Sequence, residues 1–168
     1  SKTSNRISDM LAIECVTAIC KSLVAAHNGS SESREWVFYG SLLAGMAINT
    51  TGTVLVHGMG YYLTNYHGVH HGLANSVLLP YVLRFEGDCI GEKLLRISAN
   101  LCLRDPSSLL DMVEEIAEKV GIPKSLSDLG VKASELESMV SDALSYSRNL
   151  DNNPVKVSDR EVREIYSR

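Results

Sequence analysis

Between Trp36 and Leu83 the sequence contains no aspartate, glutamate, lysine or arginine, while both flanks carry charge at ordinary density. So long a charge-free stretch excludes a solvated linker and predicts a mostly buried segment. A membrane span is excluded there too, because Asn49, Thr50, Thr51, Gly52, His57, Thr64 and Asn65 break the apolar run before it reaches about 18 residues. Positive charge is also scarce. Sixteen Lys and Arg against 20 Asp and Glu give a net charge of -4, and no basic cluster interleaves with aromatics, so nucleic acid is not an expected partner. The four cysteines, Cys15, Cys20, Cys89 and Cys102, form no C-x-x-C pair and have no secretory signal ahead of them. They are expected to be small buried hydrophobes in a reducing cytoplasm, with disulfides or metal ligation as the alternatives. Also missing are H-E-x-x-H, G-x-S-x-G, a phosphate-cradling glycine loop and a G-x-G-x-x-G after a strand.

What is present reads as helix throughout. Residues 7–27 place Met10, Leu11, Ile13, Val16, Ile19, Leu23 and Val24 at spacings of three and four, and Asn28-Gly29 supplies a stop. "SESREWVFYGSLLAGMAINTTG" predicts a second helix, whose Gly40, Ala44, Gly45 and Ala47 leave little side chain between it and a neighbour. "TVLVHGMGYYLTNY" predicts a third, with Gly58 and Gly60 arguing against it. "LANSVLLPYVLRF" continues as a helix that Pro80 should kink or end, followed by an amphipathic stretch from Cys89 to Leu103. In "RDPSSLLDMVEEIAEKVGIP", Asp105 can cap, Pro106 suits the first helical position, and Gly121 with Pro123 ends the helix. Another helix is expected over about 133–147, and "SDRE" opens the last with a capping box of Ser158 and Glu161. A length of 168 residues suits one domain, so the expectation is a single all-α domain over 1–168, of seven to eight helices.

Four of the five histidines fall in "HGMGYYLTNYHGVHHG". His57 and His71 are 14 residues apart, about 21 Å on one unbroken helix, so they meet only if the chain turns between them. Gly68 and Gly72 allow that turn. A helix, a turn and a second helix then present two neutral imidazoles to one ion, and imidazole suits zinc or ferrous iron. Two ligands do not complete such a site, so the remaining ligands lie outside this chain or there is no metal. In the alternative, His67 and His70 are surface turn residues, while His57 and His71 satisfy backbone groups at helix ends.

The stretch "HGMGYYLTNYHGVHHGLANSVLLPYVLRF" resembles the signature of the iron-containing alcohol dehydrogenases, in which a histidine, then an "HG" histidine 14 positions on, lead into "LANAxxLPxV". Here those positions are His57, His71-Gly72, Leu73-Ala74-Asn75 and Leu79-Pro80. "ISDMLAIECVTAICKSL", "GSLLAGMAINTTGTVLVHG" and "NNPVKVSDREVREIY" are similar to neighbouring family segments, so the resemblance covers essentially the whole chain. It implies the helical C-terminal domain of a two-domain enzyme, of the dehydroquinate synthase-like type. An N-terminal domain absent from this chain would bind NAD or NADP and supply an Asp and a His shortly upstream of Ser1. His57 and His71 are then ligands of Fe2+ or Zn2+, the substrate is a small alcohol or aldehyde, and this chain alone should not turn over.

Many family members carry a second histidine four residues after the first, where this chain has Tyr61. Tyr61 either donates a hydrogen bond to the substrate oxygen or packs as an aromatic. His67 and His70 are weaker proton-relay candidates. Asn153-Pro154-Val155 replaces a typical "NPR", without catalytic consequence. Dehydroquinate synthases and glycerol dehydrogenases share the architecture but often read "HGE", so "HGLAN" favours the alcohol dehydrogenase branch. The competing class is a helical interaction domain without chemistry. A cytoplasmic location is expected, with no membrane partner, and a homodimer is left open.

Overall fold

The computed structural model describes residues 1–168 and contains eight α-helices and no strand. These are α1 (Arg6–His27), α2 (Ser31–Thr51), α3 (Leu55–His67), α4 (His71–Asn100), α5 (Pro106–Lys119), α6 (Leu136–Ser145), α7 (Ser147–Asn152) and α8 (Asp159–Tyr166), with two 3₁₀ turns at Ser127–Leu129 and Ala133–Glu135. All lie within the span read as one domain from sequence. By their contacts they sort into two compact units: Ser1, residues 53–89 and 122–168 form one, and residues 2–52 and 90–121 form the other.

The second unit is built on the α1–α2 hairpin. Its turn follows from Asn28-Gly29, with Gly29 at φ +102°, and from Ser30, whose side chain accepts the Ser33 amide. Gly40 makes the contact: a Cβ there would lie 2.8 Å from Ile19 Cγ1, whereas one at Gly45 would meet nothing within 4 Å. Leu94, Leu101 and Leu109 form a small core beneath, and Asp9 takes an ion pair from Lys93 at 2.9 Å. Length and composition would let α1 cross a bilayer, a test that core helices also pass.

The expected burial of the charge-free stretch holds only for its later half. Only Gly40, Leu43 and Ala47 of α2 are fully buried, and Trp36, Phe38, Tyr39, Leu42, Met46 and Ile48 are exposed. The hairpin is closed by a narrow stripe of Gly40, Leu43 and Ala47, which leaves most of that helix's circumference open. The cysteines are all free, but Cys89 and Cys102 are exposed, contrary to the expectation that all four pack as buried hydrophobes. Cys89 sits on an open face of α4 and Cys102 just beyond its end.

The first unit has the larger core. Leu55, Met59 and Leu63 of α3, Leu78 and Val82 of α4, Met139 and Val140 of α6 and Val162 of α8 are almost wholly inaccessible. Two boundaries differ from the sequence reading. Helix α4 does not end or restart at Pro80 but runs unbroken for 30 residues. Proline deletes a hydrogen bond to the preceding turn, and burial of Val77, Leu78 and Val82 on either side outweighs that loss. The helix expected over 133–147 is a 3₁₀ turn followed by α6, and a separate α7 begins after Tyr146, whose φ of -83° and ψ of 66° leave the helical region. The capping box of Ser158 and Glu161 opens α8 as expected.

The start of α3 has no cap of its own, because Val54 offers no side-chain acceptor. The chain's last segment provides one. Asn153 is completely buried; its Oδ1 accepts the Leu55 amide at 3.1 Å and its Nδ2 donates to the Val155 carbonyl at 3.1 Å. Asn149 donates to Thr53 Oγ1 at 2.8 Å, and Asn152 to the Thr53 carbonyl at 3.0 Å. The Tyr166 hydroxyl donates to the Met59 carbonyl at 2.8 Å inside the core. Orphan amides at a buried helix start are costly, so these asparagines fix where α3 begins and how its side chains are aimed.

Candidate active site

Helices α3 and α4 are joined by a short turn in which Gly68 adopts the left-handed conformation, φ 65° and ψ 18°. That conformation ends α3 as a C-cap and lets the chain double back within three residues. His57 and Tyr61 then share one face of α3, four residues apart, and His71 and Asn75 share one face of α4. The two faces meet. His57 Nδ1 and His71 Nε2 are 3.2 Å apart, and Asn75 Nδ2 lies 3.3 Å from the first and 3.1 Å from the second.

Close approach of the helices depends on Gly60. A Cβ there would stand 2.1 Å from Asn75 Oδ1 and 3.5 Å from the Asn75 amide nitrogen. On the opposite side of α3, Gly58 gives room for α6 and α7, with the Asn149 Cβ at 3.5 Å from its own virtual Cβ. The two glycines that argue against helix in the sequence are the ones that let helices pack on both sides of it. Tyr61 lies flat on His71, with ring centroids 5.5 Å apart and planes at 14°, and its other neighbour is Tyr146 at 4.7 Å.

No carboxylate reaches the two imidazoles, and no third His, Cys, Asp or Glu joins them to make a ligand group of three. Burial, followed by the charge His71 would carry, lowers the pKa of His57 below its usual value. Both effects keep the ring neutral, the form that binds a metal. A tetrahedral ion with nitrogen ligands at about 2.0–2.1 Å holds neighbouring nitrogens about 3.3 Å apart, and the observed separation of 3.2 Å fits two adjacent ligands.

His67 is elsewhere. Its Nε2 lies 2.8 Å from Glu135 Oε2, which also receives the Tyr62 hydroxyl at 3.3 Å. The Lys132 amide bond to Glu135, then the His67 bond, hold the Glu135 carboxyl below the usual carboxylate range. His70 is exposed in the turn. The geometry thus brings together His57, His71 and Tyr61 of the residues the sequence points to, and leaves His67 outside. Sequence reasoning missed Tyr146 and Glu135, which come from distant segments. It also gave Asn75 no part, although its position four residues after His71 placed it on the same helix face.

The family's sequence profile, described as Fe-containing alcohol dehydrogenase family, C-terminal, matches residues 1–168. The chain belongs to the iron-containing alcohol dehydrogenase family. Among curated proteins it is 34% identical over 176 residues to the 1,3-propanediol dehydrogenase of Citrobacter freundii, an alignment covering 99% of this chain and 45% of that protein. A crystal structure of a 1,3-propanediol oxidoreductase superposes with a TM-score of 0.92 at 32% identity, over 99% of this chain and 46% of the other. A sulfoacetaldehyde reductase of Bifidobacterium kashiwanohense, solved in complex with NAD+, gives a TM-score of 0.90 at 26% identity, over 99% of this chain and 44% of the other. The chain therefore spans less than half the length of the relatives it matches.

Proposed function

We propose that this chain is the helical half of a metal-dependent, nicotinamide-linked dehydrogenase that interconverts a small alcohol and its aldehyde or ketone. The observation that carries the reading is the 3.2 Å approach of His57 Nδ1 and His71 Nε2 with no carboxylate to claim either nitrogen. These two atoms would hold the ion, Fe2+ or Zn2+, and its other ligands would come from outside residues 1–168. When bound, the ion supplies Lewis-acid polarisation of the substrate oxygen. NAD or NADP as hydride carrier is supported by family membership and by the NAD+ complex of the sulfoacetaldehyde reductase.

The chain's own residues orient and enclose. Neutral imidazoles set the donor positions, and the stacked ring of Tyr61 fixes the plane of His71 while screening it from water on one side. The Tyr61 hydroxyl is the group we assign to hydrogen-bond the substrate oxygen. His67 has its Nε2–H committed to Glu135, and we assign it to anchoring the end of α3 rather than to a proton relay.

The test is turnover by the full-length protein with Fe(II) or Zn(II), NAD(H) or NADP(H) and short alcohols and aldehydes, wild type against His71→Ala. Expected is metal-dependent turnover in wild type and a loss of several orders of magnitude in the variant, with metal content at background and an unchanged helical melt. Turnover that survives His71→Ala would sink the metal assignment, and none in wild type would favour an interaction domain.

A further inference from the structure

Three nitrogens meet between α3 and α4, and they are not equivalent. A neutral imidazole offers one lone pair and one N–H, whereas an amide nitrogen carries two hydrogens and no free acceptor. Asn75 Nδ2, at 3.3 Å from His57 Nδ1 and 3.1 Å from His71 Nε2, can give one hydrogen to each. Two lone pairs facing one another across 3.2 Å repel. The amide hydrogens relieve that repulsion, much as a cation would.

The far end of the same amide supports this. Asn75 Oδ1 is buried without a hydrogen-bond partner, and it occupies the space a side chain at Gly60 would take, 2.1 Å from where that Cβ would be. A buried orphan acceptor carries a penalty, so something must hold the amide in this orientation. Turned over, the amide would aim Oδ1 at the imidazoles and draw an N–H from at least one of them. In the orientation found, the amide hydrogens favour lone pairs at both inward nitrogens, with the protons on His57 Nε2 and His71 Nδ1.

We infer that Asn75 is a positioning residue: its amide hydrogens stand in for the cation and hold His57 and His71 in the tautomers that bind metal before any ion arrives. The inference rests on the metal reading proposed above. Gly60 is part of the device, since any larger residue would push Oδ1 out of its niche and rotate the amide. Because an arriving divalent ion takes the same two lone pairs, Asn75 stabilises the empty site and yields when it fills.

The experiment is 15N NMR of the histidine rings in the metal-free full-length protein, at a pH well above the ordinary imidazole range. In wild type, His57 Nδ1 and His71 Nε2 are expected at the downfield shifts of unprotonated ring nitrogens. In Asn75→Asp, nearly the same shape but able only to accept, a proton is expected to move onto at least one of them. A residue that merely packs would leave both tautomers unchanged. A wild-type proton on either inward nitrogen would overturn the inference without any variant being made, as would Asn75→Asp with unaltered tautomers. Zn2+ is then added to the wild-type full-length protein, which carries the remaining ligands. If it shifts both inward nitrogens together, the metal reading gains direct support; if the lone pairs point inward and Zn2+ shifts neither, the metal reading fails while the part assigned to Asn75 in setting the tautomers stands.

Discussion

The two ends of α3 each carry a histidine, and they differ in what the fold places opposite. At the end that opens the helix, His57 faces another imidazole and an amide, with no acid near to claim its Nδ1. At the closing end, His67 faces the Glu135 carboxylate, so its Nε2 must carry the hydrogen and offers no lone pair there. The same residue type becomes a ligand candidate or an anchor according to whether an acid stands opposite. Its distance along the helix from the motif does not decide this.

Three changes would break or sharpen that contrast. The largest effect is expected from Asn153→Ala, which leaves the buried Leu55 amide and the half-buried Val155 carbonyl without their side-chain partner. At about 1–3 kcal/mol for each orphaned group, urea unfolding should report a loss of about 2–6 kcal/mol, and the opening end of α3 should lose hydrogen-exchange protection before the closing end does. A loss confined to residues around Val155 would show that α3 does not depend on this cap.

Gly60→Ala comes next. The new methyl collides with Asn75 Oδ1, and overpacking of this kind costs about 1–3 kcal/mol, against a helix-propensity gain of about 1 kcal/mol. Thermal melts should show modest destabilisation, whereas zinc binding to the full-length protein, measured by competition with a chelator, should weaken markedly. Unchanged zinc affinity would separate the α3–α4 crossing from the site.

The smallest effect belongs to Glu135→Gln. The folded pKa of Glu135 is depressed below the unfolded value of about 4.5, so its contribution is fully present above that value and is lost as the pH falls through the folded pKa. Expected is a flatter acid limb in the stability profile, with metal binding at neutral pH untouched. An equally steep acid limb would assign acid sensitivity to other carboxylates.

Much of this contrast could be read from the residues themselves. Local signals marked most of the helix boundaries: Asn28-Gly29 after α1, Asp105-Pro106 before α5, Gly121 after it, and the Ser158–Glu161 pair before α8. Each satisfies or frees backbone groups within about four residues. The motif spacing likewise marked His57 and His71 as a pair that a turn could join. What stayed hidden depends on partners far along the chain. Pro80 looks like a breaker until the buried residues on both sides of it are known. Gly60 looks like a weak point until Asn75 is seen against it. His67 looks like a relay until Glu135, 68 residues away, closes on it. Tyr146 escaped notice because the kink that presents it to Tyr61 has no glycine or proline to announce it.

The asparagine cap on α3 also sets an order of events in biosynthesis. Leu55 and Asn153 are separated by 98 residues. At about 5–20 residues per second, His57 is synthesised roughly 5–20 s before the side chain that secures its helix. Throughout that interval the opening turn of α3 has exposed, unpaired amides, and the imidazole that pairs with His71 has no fixed bearing. The pairing of His57 with His71 is therefore timed by residues 149–153, and a nascent protein stalled before residue 149 would carry both histidines without the side chains that secure α3.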